Sequence, residues 1–423
     1  MLATLRHRDF ALLWTAGLIS VAGDFALLVA LPLHAYALTG SAVATGGVFA
    51  AGLLPRVLLG SVAGVFVDRW DRKRTMVAAD LLWAGLLLPL LAVGSANLLW
   101  LLFLVRATTG TVGLFFDPAE NALLPRLVGE ERLVSANALN SLNDNLGRLV
   151  GSAAGGLLYA WGGLSLVVVA DATTFVLSAA LVVAIRADAR PDVAEVVTHA
   201  ASAWGRLWRE WGEGLRLVRR NRTLRTVFVA SFIGNVGEGT FEAGFAPLVV
   251  DVLRGGAGGA GLLMSAQAVS GLAAGVLIAG IATRRSPRIL FGGGLIGLSF
   301  SDIGLANAAN LAPPGAVALG VAMLFMFAAG FPAVAMQAAG NGLLQGHTTD
   351  AYRGRVFGAF GATLSVAILI GLGIGGPAID AIGVVPVVSV GAAMWGAGGL
   401  FALARLPRAA EQAVATEPVA MSP

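Results

Sequence analysis

The sequence predicts an all-α integral membrane protein of twelve transmembrane helices, arranged as two pseudo-repeats of six. Three features predict it. Hydrophobic residues fill 57% of the 423 positions and charged residues only 12%, about half the charge of an ordinary soluble domain. The apolar residues fall in long runs, and at about 20 residues per crossing they supply about a dozen spans. The loops between the runs alternate between basic and almost base-free. This composition excludes disordered, fibrous and nucleic-acid-binding classes and leaves no length for a sizeable soluble domain. Zero cysteines exclude a disulfide framework, a thiol nucleophile and a cysteine-ligated metal.

The runs lie at roughly 10–34, 43–67, 75–95, 98–118, 136–160, 164–186, 224–250, 259–282, 289–309, 314–340, 355–379 and 384–405. The first exceeds a signal-peptide core, and no small-residue cleavage site follows it before the second span. Glycine recurs inside the runs, where it lets transmembrane backbones approach closely. Basic residues mark the N-terminus (Arg6, Arg8) and the even-numbered loops. These hold Arg69, Arg72, Lys73 and Arg74; Arg126 and Arg132; the arginines of 187–223; Arg284, Arg285 and Arg288; and Arg353 and Arg355, before Arg408 in the tail. The other loops hold Arg254 alone. The positive-inside rule therefore expects both termini in the cytoplasm of a cell-membrane protein.

Four segments follow: a six-helix bundle over 1–186, a cytoplasmic linker over 187–223, a second bundle over 224–406 and a tail over 407–423. In the linker, Trp204, Leu207, Trp208, Trp211, Leu215 and Val218 recur at helical spacing between arginines, the pattern of a helix on the inner membrane surface. Span two ends Gly64-x-x-x-Asp68-Arg69 and span eight ends Gly280-x-x-Thr283-Arg284. A glycine followed by a basic turn at matching places points to duplicated halves with a site near the midplane between them.

The 64–74 segment resembles the loop 2–3 signature of the major facilitator superfamily, Gly-x-x-x-Asp-Arg-x-Gly-Arg-Arg/Lys, with Asp71 at the second glycine. The resemblance implies a conformational latch of Gly64, Asp68, Arg69, Arg72, Lys73 and Arg74, whose charge-assisted bonds exist in one state and break in the other. A plain positive-inside anchor accounts for the arginines but not for Asp68. Two further segments are similar to motifs of the antiporting members. One is Arg106-x-x-Thr109-Gly110, with threonine in place of glutamine. The other is Gly147-x-x-x-Gly151-Ser152-x-x-Gly155-Gly156, with serine in place of proline. Ser20-Val-Ala-Gly23-Asp24, Phe116-Asp-Pro118-Ala119 with Leu124-Pro125, and Arg353-Gly354-Arg355-Val356 resemble the branch of macrolide-efflux proteins and the enterobactin exporter.

A charge at the bilayer centre costs about 2.5–3.5 kcal/mol on insertion scales, so each one marks a function or a partner. The resemblance implies that spans one, four, seven and ten line a cavity, which places Asp24, Arg106, Glu238, Glu242, Gln337 and Asn341 on the substrate and proton pathway. Asp24 is expected to form an ion pair with Arg106. Glu238 and Glu242 lie four apart on one helix face, where protonating one relieves repulsion with the other, as a proton carrier requires. Solvation of both by the cavity mouth is the alternative. Asp144 and Arg148, also four apart, are expected to neutralise each other. Asp171 and Asp302 lie on spans six and nine, with packing or lipid-edge roles. Tryptophans 14, 83, 100, 161 and 395 are expected as interface anchors. No metal or cofactor is expected, because the four histidines form no ligand spacing.

The expected function is a secondary transporter, monomeric, exporting a small, partly hydrophobic compound such as a drug, macrolide-like antibiotic or siderophore by proton antiport. Uptake symport, or lysolipid-type movement on the same fold, is the alternative. No catalytic set for an intramembrane enzyme is present.

Overall fold

The computed structural model describes residues 4–67, 70–187, 212, 214, 216–282 and 285–407. Among these, ten helices are long and apolar enough to cross a membrane. One of them, Leu133–Val183, reverses at Gly163, where φ is +63°. Only glycine adopts that backbone cheaply, so the single segment makes two passes. Arg222–Pro247 is also of spanning length but carries Asn235, Glu238 and Glu242 in its middle. The count is thus consistent with twelve passes. No strand occurs among the described residues.

In chain order, span one is Arg8–Thr39, span two Ala42–Val67, span three Arg72–Leu87, span four Leu99–Val128, and spans five and six the two arms of Leu133–Val183. Span seven is Arg222–Pro247, span eight Gly256–Ala282, span nine Pro287–Ala306, span ten Ala316–Gly346, span eleven Asp350–Ile382 and span twelve Val384–Arg405. Span four runs ten residues beyond the apolar stretch ending at 118, through Pro118 and Pro125, and so carries Glu120, half-buried, on the same helix. Asp71, the residue that departs from the family signature, caps span three: its carboxylate accepts the Arg74 N–H at 2.9 Å. A carboxylate at a helix N-terminus satisfies an orphan donor and complements the helix dipole. Asn221 and Ser286 cap spans seven and nine in the same way.

Spans one to six pack mainly on one another, as do spans seven to twelve, and the two sets meet through spans two and eleven and spans five and eight. With an even number of passes, the described ends of the chain, before span one and after span twelve, lie on one side of the bundle. On that terminal side the cores are separate: Phe10, Leu13, Leu123 and Leu139 belong to the first half, and Leu224, Phe291, Leu344 and Val356 to the second. On the far side one core is shared, with Val29, Leu33 and Ala42 of the first half packed among Ala243, Leu248, Leu372 and Val388 of the second. The molecule is therefore closed on the far side. Of the six linker residues named above, Val218 is described, and it is buried in the second half's core. The other five, and latch residues Asp68 and Arg69, lie outside the described residues, as do Arg284 and the tail from 408 on.

Asp380 of span eleven ties the far side together. Its two carboxylate oxygens accept from the Ser41 hydroxyl at 2.6 Å and the Ala42 N–H at 2.8 Å, capping span two from the opposite half. Tyr36 donates to Asp251 beside it. Hydrogen bonds to a charged group contribute about 1.5–3 kcal/mol each, and about 1.4 kcal/mol is tenfold in a population. Asp380→Ala should therefore open the far side. The check is a Leu372→Cys reporter, whose position is 4% exposed, in a chain that has no other cysteine. In purified protein, a bulky thiol reagent should label it at least about tenfold faster in the Asp380→Ala variant; an unchanged rate means that other contacts hold the closure.

Candidate functional site

A cavity of about 430 Å³ lies between the halves. Span seven contributes Asn235, Glu238 and Glu242, span five Asn145 and Arg148, span eight Gln267, span ten Gln337 and span twelve Trp395. Its wall therefore carries amides from both halves, the carboxyls of the second half and a guanidinium of the first. Of the six residues the sequence places on the substrate and proton pathway, Glu238, Glu242 and Gln337 line this cavity. Asp24, Arg106 and Asn341 are not among its lining residues. Asp24 and Arg106 sit together in the first half, on spans one and four, and Asn341 lies one turn nearer the terminal side of span ten, exposed.

Arg148 departs from its expected pairing. It does not bond its i−4 neighbour Asp144; the guanidinium lies over the Phe25 ring, 5.4 Å from the centroid, and its charge bears on Glu238 across the cavity. A cation over an aromatic face is held by the ring quadrupole, which aims Arg148 at the second half. Arg106 likewise bears on Glu242 of the second half as well as on Asp24 and Asp171. The two acids of span seven thus each answer an arginine of the first half. Neither couple is a contact pair, nor is Asp24 with Arg106, whereas Arg8 and Asp9 at the start of span one meet at 3.3 Å. The interior charges act at longer range, through a space that solvent or substrate can fill.

Trp395 also departs from expectation. At 5% exposure it is no interface anchor: it lines the cavity beside Glu238 and packs onto Gly234. Trp14 and Trp83 are likewise turned inward, donating to the Leu139 and Thr109 carbonyls at 2.9 Å. Trp100 and Trp161 are exposed, the latter at 80%, as anchors would be. Asp171 and Asp302 are buried, not at a lipid edge.

Glycines set the helix spacing around the site. Gly147, Gly151 and Gly155 lie against span one, where a Cβ on Gly151 would collide with the Ala22 carbonyl oxygen. Gly156 faces span eight instead, with the Ala257 oxygen filling the place its Cβ would take. Gly110 meets the Gly52 backbone, setting span four against span two. In the latch segment, Arg72 donates to the Ala122 carbonyl at 3.1 Å and Lys73 to that of Ile185 at 2.7 Å, and Arg74 belongs to the capped turn. The sequence had one signal for Arg148, its position inside a span, and the nearer acid at i−4 masked its partner. Among the described residues no group of histidine, aspartate and glutamate could hold a metal ion.

The family model described as Major Facilitator Superfamily matches residues 13–372. Macrolide efflux protein A of Streptococcus pyogenes is 26% identical over 379 residues, 89% of this chain and 90% of that protein. The multidrug efflux pump Tap of Mycolicibacterium fortuitum is 33% identical over 233 residues, 52% of this chain and 54% of that pump. Among solved structures, a point mutant of the nucleoside transporter NupG superposes with a TM-score of 0.77 at 13% identity, covering 94% of this chain and 100% of that one.

The Arg148–Glu238 couple predicts a double-mutant cycle. Removing one partner leaves a half-buried charge in the cavity wall uncompensated, whereas removing both does not. Arg148→Gln and Glu238→Gln should each lower the melting temperature of the purified protein, and the double variant should recover at least about 1 kcal/mol of their summed loss. Strict additivity would mean that the two charges do not act on one another.

Proposed function

The chain belongs to the major facilitator superfamily and is a multi-pass membrane transporter, and from that premise we propose that it exports a small, partly hydrophobic compound by proton antiport. One observation carries the reading: a cavity between the halves whose two acids, Glu238 and Glu242, share span seven and face arginines of the opposite half. A carboxyl that can trade a proton for an arginine across the cleft changes the attraction between the halves as it loads and unloads. Export is supported by the efflux names of the relatives. The mixed amide, aromatic and charged lining suits a drug-like or siderophore-like molecule better than a pure hydrocarbon. Uptake symport or lysolipid movement on the same fold is the second reading, which no observation favours.

In this reading Glu238 is the proton carrier and Glu242 its partner, Gln337 contacts substrate, and Asp24 with Arg106 selects substrate charge on the approach path along with Asn341. The Gly64–Arg74 turn is a latch on the cytoplasmic side, where both termini lie, and the protein works as a monomer in the cytoplasmic membrane.

Glu238→Gln should abolish accumulation driven by a pH gradient yet retain binding and downhill exchange, since a glutamine keeps the shape but carries no exchangeable charge. Inverted vesicles given a panel of antibiotics and siderophores provide the measurement, with proton release read at the same time. Uphill transport by the variant at the wild-type rate would remove Glu238 from the coupling role. A reporter fused to the C-terminus should be cytoplasmic by the positive-inside rule; extracellular labelling would reverse the assigned direction of transport.

A further inference from the structure

Besides Asp24, and apart from the cavity wall, the first half holds two buried carboxyls. Asp80 of span three is 0% exposed and Asp171 of span six is 1% exposed. Each keeps one oxygen with no hydrogen-bond partner, Asp80 Oδ1 and Asp171 Oδ2. Asp80 Oδ2 accepts from the Ser178 hydroxyl at 2.8 Å. Asp171 Oδ1 packs on Gly23, in the space a Cβ would need, so the glycine before Asp24 is what admits it. Asp24 itself is exposed and adjoins the open interior.

The Thr174 hydroxyl has one hydrogen and two oxygens in reach, the Asp171 carbonyl at 2.7 Å and Asp171 Oδ1 at 3.2 Å. The shorter contact takes the hydrogen, which leaves a Thr174 lone pair facing Oδ1. Two lone pairs repel, whereas a protonated Oδ1 makes that contact a hydrogen bond. The surrounding charges agree. Asp80 feels Asp24 and Glu120, both acids. Asp171 feels Asp24 and the single cation Arg106, and Arg106 is shared with Glu242. One guanidinium cannot neutralise Asp24, Asp80 and Asp171 together, and an ionised carboxylate buried without a partner is among the costliest groups a protein can hold. The three carboxyls are not grouped for a shared metal ion, so the species that balances them is the proton.

We propose that Asp80 and Asp171 are proton-binding sites of the first half, reached from solvent through Asp24 and separate from Glu238 and Glu242. The inference does not rest on the export reading.

Infrared spectroscopy of the purified full-length protein tests it without a substrate. In a Glu238→Gln, Glu242→Gln background, the carboxylic-acid C=O absorbance at neutral pH should lose one band in Asp80→Asn and a second in Asp171→Asn. Asp24→Asn should shift the Asp171 band without removing the Asp80 band. Ser178→Ala, which takes away the donor to Asp80 and leaves every acid in place, should move the Asp80 band alone and keeps the test open if an aspartate variant folds poorly. If neither aspartate variant removes acid absorbance, and Ser178→Ala shifts none, both carboxyls are ionised and the proposal is overturned.

Discussion

The closure at the far side is the constraint on which the rest depends. Asp380 caps span two from the other half, and behind it the apolar core runs continuously from Val29 to Val388. At the other end Phe10 and Phe291 belong to different cores. A two-domain bundle joined at one end and separate at the other must hold any central cavity open toward the separate end, and that is where Asp24 and Asn341 are exposed. The cap is polar and the core behind it is made of small and branched side chains.

The interior has more acids than cations to answer them. Arg106 and Arg148 between them face Asp24, Asp171, Glu238 and Glu242, while Asp80 has only a serine hydroxyl. Because ionised groups in low dielectric need partners, the spacing of those two arginines decides which acids can be charged at once. Both arginines belong to the first half and two of their acids to the second. Any rotation of the halves therefore redistributes the same two positive charges over a different set of carboxyls.

The twelve runs, the reversal between spans five and six and the crowding of Gly147, Gly151 and Gly155 were legible because each depends on local composition: apolar length, loop charge and small-residue spacing. Asp71 was legible only as a departure from a signature; that it caps span three depends on which backbone N–H it meets. The charges divide the same way. Glu238 and Glu242 are found by depth along a helix, a one-dimensional quantity. Arg148 was assigned to Asp144 because i,i+4 is the only geometry a sequence displays, whereas its real environment, Phe25 below and Glu238 opposite, comes from two other spans. Trp395 was misplaced for the same reason: distance from a span end does not report that Gly234 leaves room for an indole to turn inward. Asp80 and Asp171 carried no motif, and their significance lies in hydroxyl partners on a neighbouring helix and a neighbouring turn.

Glycine content and movement are connected through the kind of contact that holds the halves. Gly156 against Ala257, Gly261 against Ser152 and Gly376 against Val43 bring backbone to backbone or nearly so. Contacts of this kind gain dispersion energy over a smooth surface, and no side chain must leave one rotamer for another as they separate. Within each half the same residue type does the opposite work. Gly151 and Gly155 seat span five on span one so closely that nothing larger than hydrogen fits, which fixes the two as a unit. Arg148, carried on that unit one turn from Gly151, is therefore positioned by the first half as a rigid body. Its distance from Glu238 then reports how the halves are disposed, and that is the property a charge pair needs in order to couple a proton to a conformational change.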